Sequence, residues 1–385
     1  MSTLKVDAIR HNSATSDAIT THSDGTASAK IIDVGGGQLS NRNIIINGAM
    51  NVSQRGTSFA SLGTGYTVDR FRYTENIDTG VVTVTQESIT DLPGFTKAAK
   101  INCTTAEAGV PSKAGSKFAA FNTKLEGQDL QQLAYGTSSA KQITLSFYVK
   151  SNVTGTFCVS LYKPDQTDRN VSLGYTISSA NTWEKKTLTY PADTGGGGID
   201  NDNGSGLEIY WVVARQQGYQ GAASTTWGNN TDARFANLCT ATIFENTNDH
   251  IMFTGVQLEV GDTATSFEHR SYGEELSRCQ RYCQVYVNPR LRGVLGSGSS
   301  SDFNRMGMTL LNTLRTDPSA TWSGTQSVYG GSGTASITGI NTLYVDPYSF
   351  EIDGAASGTL SGGSGTAVIA YTGGNEATLT LSAEL

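Results

Sequence analysis

The sequence predicts an all-β protein interrupted by one short helix. Three observations carry that expectation. Glycine is abundant, with 44 among 385 residues, and only 16% of residues are charged, a composition that suits strands and turns better than Lys- and Glu-rich helices. Apolar and polar residues alternate at short intervals between residues 43 and 269, the period-two signature of strands buried on one face. Only residues 257–282 switch from that period to one near the helical repeat.

At the N-terminal end, residues 4–9 and 27–32 alternate as short strands, and Asp24-Gly25 between Ile19 and the second piece is a hairpin signal. An isolated hairpin is marginal in water. Residues 1–42 are therefore expected to dock on other copies of the chain or on another protein, the alternative being a polar tail. Gly35, Gly36 and Gly37 read as a flexible joint.

In residues 43–270, Ile143, Leu145, Phe147 and Val149 alternate with Thr144, Ser146, Tyr148 and Lys150. Leu207, Ile209, Trp211 and Val213 alternate with Glu208 and Tyr210, and Phe157, Val159 and Leu161 make a third strand. Residues 81–86 and 183–190 are weaker strands, and residues 250–260 close the set. Such alternation suits two packed antiparallel sheets or a barrel, with Trp211 in the core phase. Residues 192–206 and 216–230 are rich in Gly and Asn and read as long exposed loops.

Gly261 and Asp262 end the closing strand, and Ser271 with Glu274 has the spacing of a capping box. Within residues 271–287, Tyr272, Leu276, Cys279 and Cys283 fall on one side of a connecting helix, with Glu275, Arg278 and Arg281 elsewhere. A helix of about three turns is marginal alone, so it needs the sandwich or copies of itself as a partner. Residues 288–385 return to short alternating pieces separated by Gly and Ser, a second and smaller β domain with thin apolar content.

Two segments carry a family resemblance. The run QLEVGDTATSFEHRSYGEELSRCQRY at residues 257–282 resembles the segment that closes the β-sandwich in tailed-bacteriophage fibre and appendage proteins, particularly those of marine phages. NRNIIINGAMNVSQRG at residues 41–56, followed by YTVDRFRY at residues 66–73, is similar to the matching start of that sandwich. The resemblance covers the central domain, residues 1–35 in style only and residues 286–385 weakly. It implies a jelly-roll sandwich similar to carbohydrate-binding modules, and a structural virion protein that attaches the particle to host-surface glycan. Fibres of this kind are commonly trimers, and a parallel homotrimer would bring Leu276, Cys279 and Cys283 to a shared axis. Residues 1–42 would then be held by another tail protein of the virion, after synthesis in the host cytoplasm. Two other roles stay open on the sequence: an architectural head fibre, decoration or adaptor without receptor binding, and a polysaccharide-degrading appendage.

Charge and motifs narrow the chemistry. The formal net charge is −7 with pI near 5.2 and no basic stripe, which argues against a nucleic-acid partner. No apolar run approaches the length of a membrane span and the N-terminus lacks a signal-peptide core, so neither membrane insertion nor secretion is expected. Five cysteines make no disulfide framework.

The candidate glycan site is Trp227 with Tyr219, Asn229, Asn230 and Asp232. A flat aromatic ring can stack on the C–H face of a sugar while amides and carboxylates pair with its hydroxyls. The competing reading folds Trp227 back over the sandwich as a lid. Asp200, Asp202 and Gly204 offer oxygens for a hard cation, but the glycine comes one position early and the closing glutamate is missing, so a solvated turn is expected. Cys279 and Cys283, with His269 nearby, could begin a zinc site, yet nothing completes four ligands and both thiols read as core. No nucleophile-elbow, zinc-protease or phosphate-loop motif occurs. No catalytic residue, metal or cofactor is expected.

Overall fold

The computed structural model describes residues 8–9, 19–23, 27–29, 41–221, 225–289, 292–294, 305–330, 333–357, 366–369 and 377–385. Two antiparallel sheets pack face to face at its centre. One has six strands in the order Glu184–Tyr190, Ile143–Ser151, His250–Val260, Lys97–Thr105, Val81–Ser88, Ser58–Ala60. The other has seven, in the order Gly228–Asn229, Arg169–Ile177, Gly155–Lys163, Ser205–Arg215, Phe118–Glu126, Phe71–Glu75, Thr64–Tyr66. Between residues 97 and 260 the chain crosses repeatedly from one sheet to the other, in the manner of a jelly roll.

The alternation seen in the sequence decides which residues lie between the sheets. Ile143, Leu145, Phe147 and Val149 point inward and are fully buried, as are Leu207, Ile209, Trp211 and Val213. Phe121 stacks on Phe71 at 5.0 Å and on Phe253 at 5.8 Å, tying the two sheets together through their rings. Each such side chain contributes about 1.5–3 kcal/mol by leaving water. Lys97–Thr105, Phe118–Glu126 and Arg169–Ile177 have too many Ala, Gly, Lys and Asn residues to stand out by alternation. Each is nonetheless a full strand because it has a hydrogen-bonded neighbour on both sides.

The two sequence segments that carry the family resemblance form one hydrogen-bonded unit. Residues 43–48 run along the closing strand, with Ile44 N donating to Leu258 O at 3.0 Å and Val256 N to Gly48 O at 2.9 Å. The Asn43 amide donates to Val256 O at 3.0 Å, and its oxygen accepts from Ile45 N at 2.9 Å and Leu258 N at 3.1 Å. Gly48 is required there, since a Cβ would lie 2.0 Å from Val256 O. Asn47, in the left-handed region at φ 61, donates to Val52 O and Asp69 O while its own N–H donates to the Glu275 carboxylate at 2.6 Å.

That last bond turns the helix differently from the expectation. The helix spans Tyr272–Gln280 and starts as predicted, with Ser271 Oγ accepting from Glu274 N at 3.2 Å. Its buried face carries Glu275 and Cys279, not Tyr272, which is 60% exposed. The connecting helix expected over residues 271–287 also stops early, because Cys283–Val287 is a strand. That strand pairs with Thr378–Ser382, which pairs in turn with Ser319–Ser323. Between them is inserted a closed barrel in the order Arg292–Val294, Arg305–Thr309, Ser349–Ser357, Gly333–Val345, Gln326–Gly330, Thr366–Ile369. Entry and exit of the insertion meet where Asn288 N donates to Ala377 O at 2.7 Å.

The last strand is pinned to the seven-stranded sheet by charge. Glu384 pairs with Arg70, both nearly buried, and with Arg55 at 3.2 Å, while Arg70 stacks 3.4 Å above the Tyr282 ring. At the other end of the chain, Ala8–Ile9, Ile19–Thr21 and Ala27–Ala29 form a three-stranded sheet in which Ile19 pairs with Ala29, as expected of a hairpin. Most of the rest of the expected N-terminal attachment segment, including the joint at residues 35–37, lies outside the described residues. Among the described residues no helix is long and apolar enough to cross a membrane.

Candidate functional site

On the outer face of the seven-stranded sheet, aromatic side chains meet polar ones at the surface. Facing residues of neighbouring strands share one side of a sheet. The register therefore places Arg72, Asn122, Tyr210, Ser160 and Ser172 in one row and Lys124, Glu208, Tyr162 and Asn170 in the next. Residues 216–221 and 225–238 fold as a strap over one part of this face. Ser160 and Ser172 hold the strap by donating to the Phe235 carbonyl, and Ser172 also to Arg234 O at 2.9 Å. Rings lock it laterally, with Phe235 packing on Tyr210 at 5.0 Å and Phe118 at 5.1 Å.

Where the strap ends, a cleft of about 190 Å³ opens, lined by Phe118, Tyr162, Tyr210, Tyr219, Asn230, Asp232 and Phe235. That is below the roughly 300–1,000 Å³ of sites that enclose a drug-sized ligand, and suits one ring of a longer molecule lying across the sheet. The tyrosine hydroxyls are protonated donors over the whole physiological range. Burial, then Asp168, pushes Tyr162 up to about 12; burial, then Asp232, pushes Tyr219 up to about 12; burial, then Glu208, raises Tyr210 further. Tyr210 donates to the Glu208 carboxylate, which also accepts from Lys124 Nζ at 2.9 Å and Ser205 Oγ at 3.1 Å.

The expected site residues divide between this cleft and the interior. Tyr219, Asn230 and Asp232 line it. Asn230 is held by Asn170, whose amide donates to the Asn230 side-chain oxygen at 2.6 Å. Asn229 lies in the two-residue strand paired with Arg169 and is exposed beside the cleft rather than in its lining. Trp227 is corrected from platform to lid: it is 9% exposed, donates from Nε1 to Pro191 O at 2.8 Å and meets Tyr135 edge-on at 5.6 Å. The indole is consumed by the core because the strap must cover Tyr135 and the neighbouring strand edges. Phe118, Tyr162, Tyr210 and Phe235 were missed. Tyr210 stood in the polar phase of its own alternating strand, and an aromatic ring in that phase was the available signal.

The helix residues expected at a trimer axis are also redistributed. Cys279 and Cys283 are fully buried within this single chain, so they are not available to a shared axis; Leu276 is half-buried and Tyr272 exposed. The cause is the Glu275 carboxylate, drawn inward by Asn47 N and by Arg270 at 3.5 Å. Burial raises both thiols well above their ordinary range. His269 packs against Phe95 and Phe267. Asp202 accepts from Gly204 N at 2.8 Å and Asp200 from Gln166 at 3.0 Å, so their loop bonds to itself and to the turn between Gly155–Lys163 and Arg169–Ile177. Among the described residues no three His, Cys, Asp or Glu side chains converge.

No protein-family profile and no curated protein matches the sequence. Solved structures with some likeness include the enzymatically active domain of tailspike protein 4 from bacteriophage CBA120, with 14% identity and TM-score 0.32 over 57% of this chain and 21% of that one. This chain thus spans about a fifth of the tailspike domain. A CBM4 structure has 12% identity and TM-score 0.28 over 56% of this chain and 97% of that one. The family 11 carbohydrate-binding module of a cellulosomal cellulase from Clostridium thermocellum has 12% identity and TM-score 0.28 over 56% and 98%.

Proposed function

We propose that this protein is a non-enzymatic glycan-binding component of a phage appendage, attaching the virion to the host surface through the cleft on its seven-stranded sheet. The observation that carries the reading is the cleft itself, where Tyr162, Tyr210 and Phe118 offer ring faces and Asn230 and Asp232 offer hydrogen-bonding rims. Sugar rings present an apolar face and polar edges, and this arrangement answers both. The phage assignment rests on the resemblance of residues 41–73 and 257–282. One shallow cleft binds weakly, and a homotrimer anchored by residues 1–42 multiplies weak contacts into attachment.

A glycan array followed by calorimetric titration tests the reading. Tyr210→Ala and Tyr162→Ala are each expected to weaken binding about ten-fold, ~1.4 kcal/mol, with circular dichroism unchanged. A folded protein that binds no glycan would be architectural. One that releases reducing ends from host polysaccharide would be an enzyme. Light scattering is expected to give about three times the 40.7 kDa chain mass; a monomer would remove the multivalent step.

A further inference from the structure

Beside the cleft, the first row of the outer face ends in donors that no acceptor answers among the described residues. Across the sheet the register runs Tyr66, Arg72, Asn122, Tyr210. The Tyr66 hydroxyl is occupied by Leu385 O at 2.6 Å. Half-buried Arg72 is different: among the described residues its guanidinium has neither an ion pair nor a hydrogen bond, although Tyr66 and Tyr210 both feel its charge. Next to it, Asn122 is fully buried, its oxygen accepts from Thr74 Oγ1 at 2.9 Å, and its Nδ2 has no partner. A buried donor left unmade costs about 1–3 kcal/mol, which favours an acceptor arriving at this row.

The nearest carboxylate in the next row does not complete it. Glu208 already accepts from Lys124, Tyr210 and Ser205, and Asp232 lies on the strap beside Tyr219, at the other side of the cleft. The outer face thus carries Asp232 in the lining of the cleft and Arg72 outside that lining, across Asn122 from Tyr210.

Resting on the reading of this cleft as a glycan site, we infer that its ligand is a uronic-acid-containing polysaccharide, whose sugar ring lies on Tyr210 while its carboxylate is taken by Arg72 with the Asn122 amide. The guanidinium plane matches a carboxylate with two parallel N–H donors, which lysine does not do. A planar carboxylate on the sugar ring also accounts for the donor-only character of the pair. The protein carries a formal net charge of −7, so bulk attraction does not favour an acidic polymer. The preference is therefore local and persists at about 0.15 M salt, where charges more than roughly 8 Å apart are screened.

The test is a titration of the full chain, in 0.15 M salt, with galacturonate and mannuronate hexamers, their carboxyl-reduced neutral counterparts and a sulfated neutral hexamer. At least one uronate is expected to bind about ten-fold tighter than its reduced form. Arg72→Gln should bring the two within about two-fold while leaving the neutral affinity in place. Arg72→Lys should restore only part of the difference, and Tyr210→Ala should weaken both forms together. Equal binding of uronate and reduced sugar by the wild type, tighter binding of the sulfated hexamer, or a preference that survives Arg72→Gln overturns the inference. In those cases a loss on Tyr210→Ala keeps the cleft as a neutral or sulfated glycan site. A folded protein that binds none of these sugars and nothing on a wider glycan array overturns the cleft reading and this inference together.

Discussion

Arg70 and Arg72 stand two residues apart where the strand Phe71–Glu75 of the seven-stranded sheet begins, and they have opposite fates. Arg70 is closed in: Glu384 pairs with it, Tyr282 stacks beneath it, and its second nitrogen donates to Lys124 O at 2.6 Å. Arg72, inside the strand Phe71–Glu75, has a guanidinium with no ion pair or hydrogen bond among the described residues. The difference arises from what the distant chain brings to each. The last strand, returning after the inserted barrel, delivers Glu384 to Arg70 and a backbone carbonyl to Tyr66, and reaches no further along the row. One arginine is thereby structural, and the other stays half-buried without a charge partner among the described residues.

The largest expected effect comes from breaking the closed side. Glu384→Ala leaves Arg70 buried without its counter-charge, which costs about 3–5 kcal/mol, and urea unfolding should show that loss. A change below about 1 kcal/mol would mean that the last strand is not anchored by this pair.

A charged residue at the other end of the strand Phe71–Glu75 sharpens the contrast through pH. Burial raises Glu75 from its ordinary 4.5 to about 7, while the Tyr73 hydroxyl at 2.5 Å opposes the shift and Glu107 adds to it. Because the folded value lies above the unfolded one, this carboxyl costs nothing below about pH 4.5. It destabilises increasingly as pH rises, and the cost is complete above its folded value. Glu75→Gln is therefore expected to match the wild type at pH 4.5 and to melt at higher temperature at pH 8. Parallel melting curves across that window would remove Glu75 from the account.

Trp227→Phe separates lid from platform. It deletes the bond to Pro191 O and should cost about 1 kcal/mol of stability with glycan affinity unchanged; loss of affinity at unchanged stability would return Trp227 to the binding surface. The smallest effect belongs to the open side, where Arg72→Gln should alter stability by no more than about 0.5 kcal/mol.

Legibility followed the range of the physics. The sandwich strands with branched and aromatic residues in phase were readable because burial on one face writes a period of two into the sequence. The helix start was readable because a cap is settled by Ser271 and Glu274 alone. The helix face was not: Glu275 reads as a solvent-facing charge until Asn47 and Arg270, more than two hundred positions away in one case, turn it inward. The two segments bearing the phage resemblance could be matched by eye, yet their common purpose, the ladder of Asn43, Glu268 and Arg270 that closes the sandwich on itself, required them to be seen together.

By itself, then, the sequence determined the all-β class, the strand phases that fill the core, and the presence of one capped helix, all of which depend on neighbours within a few residues. Only the tertiary structure decided that Trp227 is interior, that Tyr162 and Tyr210 line a cleft, and that among the described residues Arg70 has a charge partner while Arg72 has none. Each of those outcomes turns on which remote segment arrives over a given patch of sheet, and distance in space between remote residues is not written in their spacing along the chain.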